Sequence, residues 1–236
     1  MSSERLPGKV LRQLPAHGGR TLVEHIVARA TAAQGINRVV LATSTRPEND
    51  VLAELGARLG IPVFRGSEDD VLDRFQQAAT THNLSHIVRL TGDNPFLDCD
   101  CLATAISEHL ASGVDVTVTT GLPLGMNIEI ISAAALARAA EEATRPEDRE
   151  HVTLYCHQHP TLFRIRKLDM SQGSHLDMAR LTIDCAEDYD LASFIYDELY
   201  AGDHLFGFRD IARLIASRPD CLTINQHIRQ HRGNWP

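Results

Sequence analysis

Apolar positions along the first 120 residues alternate between two spacings. Leu22, Val23, Ile26, Val27 and Ala30 recur at three- and four-residue steps behind Thr21, which predicts a helix capped by that hydroxyl. Residues 38–43 form a continuous apolar run, the mark of a strand buried on both faces. Helical spacing returns at 47–59, a short strand follows at 62–64, and 71–82 is again helical. Residues 86–90 predict a strand, 99–112 a helix and 114–120 a β-branched strand. Such regular alternation argues for a parallel sheet covered by helices on both faces.

The second half is less regular. Residues 127–131 predict a strand, and Ser132 caps an Ala-rich helix to 143. The stretch 149–159 is read as helical, 163–168 and 180–183 as strands, and 186–199 and 208–217 as helices. The expected division is one domain over 1–222 and a polar tail over 223–236.

A chain of 236 residues with 43% hydrophobic content can bury one sizeable core. Its net charge of −8 repels a phosphate backbone, so nucleic acid is not the expected partner. A phosphate-bearing ligand must then be met by a local basic cluster or a metal ion. The five cysteines are odd in number and show no disulfide framework, which points to a reducing compartment. Cys99 and Cys101 are read as structural thiols, and His157 and His159 are not spaced as a metal pair on a helix. With no apolar run of membrane-spanning length and no signal-peptide core, the expected location is the cytoplasm.

Ligands of open parallel α/β sheets bind at the carboxyl ends of the strands. After the strand at 86–90 comes Thr91-Gly92-Asp93-Asn94-Pro95, where Gly92 allows close backbone approach and Asp93 is presented at the sheet edge. Asp184 follows the strand expected at 180–183. Facing one crevice, the two carboxylates would suit Mg²⁺; taken alone, Asp184 reads rather as a turn residue or helix cap. Arg5 and Lys9 flank a Pro-Gly turn able to hold both around a polyphosphate, or are simply a basic, solvated terminus. The 64–74 segment carries Ser67 in a turn and Arg74 on the following helix, with acids that also suit the helix dipole. Residues 145–153 include Arg149, Glu150 and His151, suited to polar recognition or to a solvated helix start. No G-x-G-x-x-G follows any strand, which argues against a dinucleotide-binding oxidoreductase.

Taken together, RLPGKVL, VFRGSEDDVLDRF, VRLTGDNPFLD, DREHVT and LTIDCAEDYDL stand in the order of the spore-coat-polysaccharide-type cytidylyltransferases. The chain resembles that family from about residue 2 to 200, and the family is similar to the CMP-Kdo and CMP-sialate synthetases. The resemblance implies a Rossmann-like three-layer α/β/α sandwich with a mostly parallel sheet. It implies transfer of a cytidylyl group from CTP to an acidic or related sugar, with Mg²⁺, release of pyrophosphate and a homodimer. Carried over by position, Arg5 and Lys9 hold the triphosphate. Thr43, Ser67, Arg74 and Gly92 line the nucleotide pocket, and Asp93 and Asp184 bind Mg²⁺. Asn127, Glu129, Arg149, Glu150 and His151 lie toward the sugar.

Two departures from the family pattern stand out. The family normally has a strand and an Ala-Arg-Met ahead of the basic loop, whereas here Met1-Ser2-Ser3-Glu4 precede Arg5. The expectation is a start read too late, leaving a central strand out of the sheet. The alternative is a truncated, impaired protein, and the rival readings of function are a member that binds nucleotide without catalysing transfer and the same chemistry on another triphosphate. In addition, Asn127 stands where the family often has an acid.

Overall fold

The computed structural model describes residues 5–171, 176, 179–202 and 204–228. It begins with a 3-10 turn, Lys9–Leu11, and a two-stranded antiparallel ribbon of β1 (Gln13–Leu14) and β2 (Arg20–Thr21). Helix α1 (Leu22–Ala32) follows at once. Thr21 and Glu24 form a capping box: the Glu24 amide donates to the Thr21 hydroxyl at 3.3 Å, and Glu24 accepts from the Thr21 amide at 2.7 Å.

Next come β3 (Leu41–Ser44), α2 (Asp50–Arg58), β4 (Val63–Gly66) and α3 (Val71–Thr81). Strands β3 and β4 are parallel, with Thr43 opposite Arg65. Then follow β5 (His86–Arg89), α4 (Cys99–Ser112), β6 (Val116–Thr120), β7 (Glu129–Ser132) and α5 (Ala133–Glu142), whose cap Ser132 accepts from Ala135 at 3.2 Å. Short helices α6 (Pro146–Glu150) and α7 (Leu154–Gln158) lead to β8 (Ile165–Asp169), α8 (Ala186–Leu199) and α9 (Phe208–Ser217). A 3-10 helix, Pro219–Ile224, closes the described chain. Most of the tail over 223–236 lies outside the described residues.

Strands β5, β7, β6 and β8 form one sheet in that order. Both β5 and β6 pair with β7 antiparallel, while β6 and β8 are parallel, so β7 alone runs against its neighbours. Successive side chains of β7 point to opposite faces. Ile130 enters a core with α1, α4, α8 and α9; Ile131 enters another with α3, α5 and α7. This is the three-layer α/β/α sandwich.

Several expected boundaries moved. The strand expected at 38–43 begins only at Leu41, and Val39 and Val40 are half-buried instead of enclosed. The strand expected at 180–183 is reduced to one parallel bridge between Leu124 and Arg180. There Gly125, at φ 95°, lets one backbone pass against another: a β-carbon would stand 2.6 Å from the Thr182 nitrogen. The helix read at 149–159 is two short helices.

Candidate active site

Lys9 is the meeting point of three separate chain segments. Left-handed Gly8 (φ 67°) turns the chain so that the 3-10 turn starts at Lys9 and sends its side chain inward. Its Nζ donates to Asp93 Oδ2 at 3.0 Å, Asp184 Oδ1 at 3.0 Å and the Ile183 carbonyl at 2.8 Å. The two carboxylate oxygens therefore lie no more than 6.0 Å apart. Only 13% of the Lys9 side chain is exposed, against 27% of Asp93 and 24% of Asp184. Arg5 reaches the other Asp184 oxygen at 3.6 Å from a half-exposed position.

Each carboxylate is held from behind. The Thr91 hydroxyl donates to Asp93 Oδ1 at 2.5 Å, and the Asn94 amide donates to that hydroxyl at 2.8 Å. The Ile183 amide donates to the Asp93 carbonyl at 2.9 Å, tying the two loops together. Gly92 is needed for close approach: a β-carbon there would meet Val10 at 3.0 Å. Arg180 forks onto two acids, donating to Asp184 Oδ2 at 2.7 Å and to Asp188 Oδ1 and Oδ2 at 2.8 and 2.9 Å. Asp188 also accepts from the Asp184 amide and from Asn225. Burial alone would push the Asp184 carboxyl up, but Lys9 and Arg180 outweigh it and hold it below its ordinary range. Asp188 is lowered in the same way by Arg180, the Asp184 amide and Asn225, against its burial.

Two carboxylates converging on one cation are a hard-oxygen donor set of the kind Mg²⁺ accepts, completed by water and substrate phosphates. No group of three or more His, Cys, Asp or Glu suited to a metal occurs among the described residues. Asp93 and Asp184 are brought together by their shared contact with Lys9.

The segment assigned to the nucleotide lies at the carboxyl ends of β3 and β4. Thr43 is buried in β3. The Ser67 hydroxyl accepts from the Asp70 amide at 3.0 Å, and its carbonyl accepts from Arg74, which also donates to the Glu68 carbonyl at 3.3 Å. Arg74 therefore stiffens the turn over 66–70 by binding its backbone.

The residues assigned to the sugar separate into distinct environments. Glu129 is buried on β7, accepting from Arg89 at 3.0 Å and Thr153 at 2.9 Å, with His157 at 3.6 Å. Burial works to raise its carboxyl, but His157, Arg89 and Thr153 bring it below the usual value. Asn127 is exposed and donates to the Leu122 carbonyl at 3.1 Å, a contact an acid could not make. Arg149 binds Asp70 through Nε at 2.8 Å and Nη2 at 2.5 Å, and the Ala140 carbonyl through Nη1. Glu150 is exposed and His151 half-buried on the same short stretch.

Sequence reasoning missed Arg180, Asp188, Arg89, Thr153, His157 and Asn225. The one available signal was the spacing of Arg180, Asp184 and Asp188, four apart, ahead of and into a helix.

Comparison with known proteins places the sequence and the fold. A cytidylyltransferase family model matches residues 1–201. The chain is 36% identical over 226 residues to the spore coat polysaccharide biosynthesis protein SpsF of Bacillus subtilis (strain 168), covering 94% of this chain and 93% of that one. It superposes on a cytidylyltransferase structure from Leptospira borgpetersenii serovar Hardjo-bovis (strain JB197) with a TM-score of 0.86 and 28% identity, over 98% and 95% of the two chains. A CMP:2-keto-3-deoxy-manno-octonic acid synthetase complexed with CTP shares the fold at a TM-score of 0.61 and 15% identity, over 84% and 95%. Full-length agreement of sequence and fold makes this chain a member of the cytidylyltransferase family.

Proposed function

We propose that the chain transfers a cytidylyl group from CTP to a hydroxyl of an acidic or related sugar, with pyrophosphate as the second product. The observation that carries this reading is the convergence of Lys9, Arg5, Asp93 and Asp184 at the carboxyl edge of the sheet. The sugar oxygen forms a bond to the α-phosphorus as the bond to the β-phosphate bridging oxygen breaks. The pair of electrons leaves with pyrophosphate, and the hydroxyl proton passes to solvent. Asp93 and Asp184 would hold Mg²⁺, which when bound neutralises phosphate charge. Arg5 forks onto the triphosphate oxygens, and Lys9 exchanges a carboxylate contact for a phosphate oxygen to act there as a point charge. Arg180 keeps Asp184 ionised and aimed, and positioning with electrostatics supplies most of the rate.

On this reading Thr43, Gly92, Ser67 and Arg74 shape the nucleotide side. Glu129, Asn127, Arg149, Glu150 and His151 lie on the sugar side. The product feeds polysaccharide or glycan assembly, as the name of the Bacillus relative suggests. A cytoplasmic location suits a pool of CTP; among the described residues no helix is long and apolar enough to cross a membrane. A homodimer, with residues between 121 and 180 as its surface, belongs to the same proposal.

The test is a thermal-shift panel of CTP, UTP, ATP and GTP with and without Mg²⁺, on the wild type and Asp93→Asn, followed by a pyrophosphate-release assay with acidic sugars. A CTP-selective, Mg²⁺-dependent rise that the variant loses supports the reading. Selectivity for another base would move the substrate, and a shift without pyrophosphate release from any sugar would leave a nucleotide-binding member.

A further inference from the structure

Asn225 is buried at the end of the Pro219–Ile224 turn, yet it stands behind the candidate active site. Its side-chain nitrogen donates twice, to the Arg180 carbonyl at 3.0 Å and to Asp188 Oδ1 at 2.9 Å. A primary amide has two hydrogens to give; a carboxylate or an aliphatic side chain has none. Asn225 thus joins the main chain of Arg180 to the side chain of Asp188. The Arg180 guanidinium in turn joins Asp188 to Asp184 Oδ2.

The Asp188 side chain is fully enclosed, and every donor it meets bears on its angle. Oδ1 accepts from Arg180 Nε and from Asn225. Oδ2 accepts from Arg180 Nη2 and from the amides of Asp184, at 2.9 Å, and Cys185, at 3.3 Å. A buried carboxylate that loses one donor turns toward whatever can replace it, because an unmet charge in the interior is costly. Such a turn at Oδ1 moves Oδ2 as well. With it go the Arg180 nitrogen and the Asp184 amide that together fix the Asp184 carboxylate.

The segment that carries Asn225 is strapped along α8. Arg218 lies over the Phe194 ring at 5.2 Å and faces Glu198 at 4.0 Å, on the second half of the helix. Cys221, Leu222 and Ile224 pack into the core that also holds Leu191 and Ile195. Asn225 then meets Asp188 in the first turn. The strap therefore runs back along α8 and ends behind Asp184. We infer that Asn225 is a positioning residue of the transfer site, acting through Asp188 and Arg180 to hold the Asp184 carboxylate at the angle its ligand needs; this rests on the role proposed above for Asp184. Partners behind a metal-binding carboxylate typically govern about 10–100-fold in metal affinity or activity.

The experiment compares the wild type with Asn225→Leu, Asn225→Ser and Arg218→Ala, each at a temperature where circular dichroism shows it folded. Two readouts are taken: amide hydrogen exchange at Asp184 and Cys185 without ligand, and the Mg²⁺ dependence of pyrophosphate release at saturating CTP. Asn225→Leu should speed exchange at those two amides by about 10-fold or more. It should also need about 10-fold more Mg²⁺ for half-maximal rate, with kcat at saturating Mg²⁺ within about threefold of the wild type. Asn225→Ser keeps one donor and should fall between; it carries the test if the leucine variant does not fold. Arg218→Ala loosens the strap away from Asp188 and should lower Tm while leaving both readouts unchanged. Unchanged exchange at Asp184 and Cys185 in the Asn225 variants would overturn the inference. So would equal changes in Arg218→Ala, since Asn225 would then serve stability alone. If the wild type releases no pyrophosphate, the proposed reaction fails, and the exchange data still decide whether Asn225 holds Asp184.

Discussion

Lys9 and Asp184 meet with Nζ 3.0 Å from Oδ1, although 175 positions separate them in the chain. Lys9 also bonds Asp93, so one ammonium group closes the cleft between two loops. Lys9→Met should lower kcat/KM for CTP by about 100-fold or more, since a preorganised charge is lost. It should also cost about 1–3 kcal/mol in stability by leaving two half-buried acids facing each other. Pyrophosphate release and denaturant unfolding check the two parts separately.

Acid should destabilise the protein through this same cluster. Asp184 and Asp188 are held below their ordinary value of 3.8, so they contribute stability above that pH. That contribution is lost as pH falls from 3.8 through their folded values. Urea unfolding followed between pH 6 and 2.5 should show the loss in the wild type. In Asp188→Asn the curve should be flatter and the neutral-pH stability lower.

Glu129→Gln leaves the Arg89 guanidinium without its charge partner in a buried setting. The expected cost is roughly 3 kcal/mol, or a fall in Tm of about 6–12 °C. Replacing both residues with leucine should recover most of that loss, as calorimetry on the single and double variants would reveal.

Asn127→Asp removes the donor that binds the Leu122 carbonyl. About 1 kcal/mol of stability should go with it. Faster hydrogen exchange confined to residues 122–126 would be the local signature, and an unchanged exchange pattern there would refute the role assigned to the amide.

Local chemistry made much of the fold readable. Thr21 and Ser132 announce helix starts because a hydroxyl ahead of an apolar periodic run satisfies free amides. Asp93 was readable because Gly92 and Pro95 bracket it after an apolar strand. The reversed direction of β7 was not, since two-residue alternation looks the same whichever way a strand runs. Residues 38–40 have strand composition but stand ahead of the β3–β4 ladder, which starts at Leu41 and Val63, and pairing decides where a strand begins. Arg180 was hidden for another reason: its acids are local, but Asn225, which completes the network, is 37 positions from Asp188.

The Arg149–Asp70 pair has a mechanical meaning. One Asp70 oxygen caps α3 through the Asp73 amide at 2.9 Å, and the other is clasped by Arg149 from α6. The turn over residues 66–70 cannot swing away without breaking a charge-assisted pair or pulling the 146–150 helix with it. A displacement of either element is therefore felt at the other, and the turn and the short helix respond as one lever.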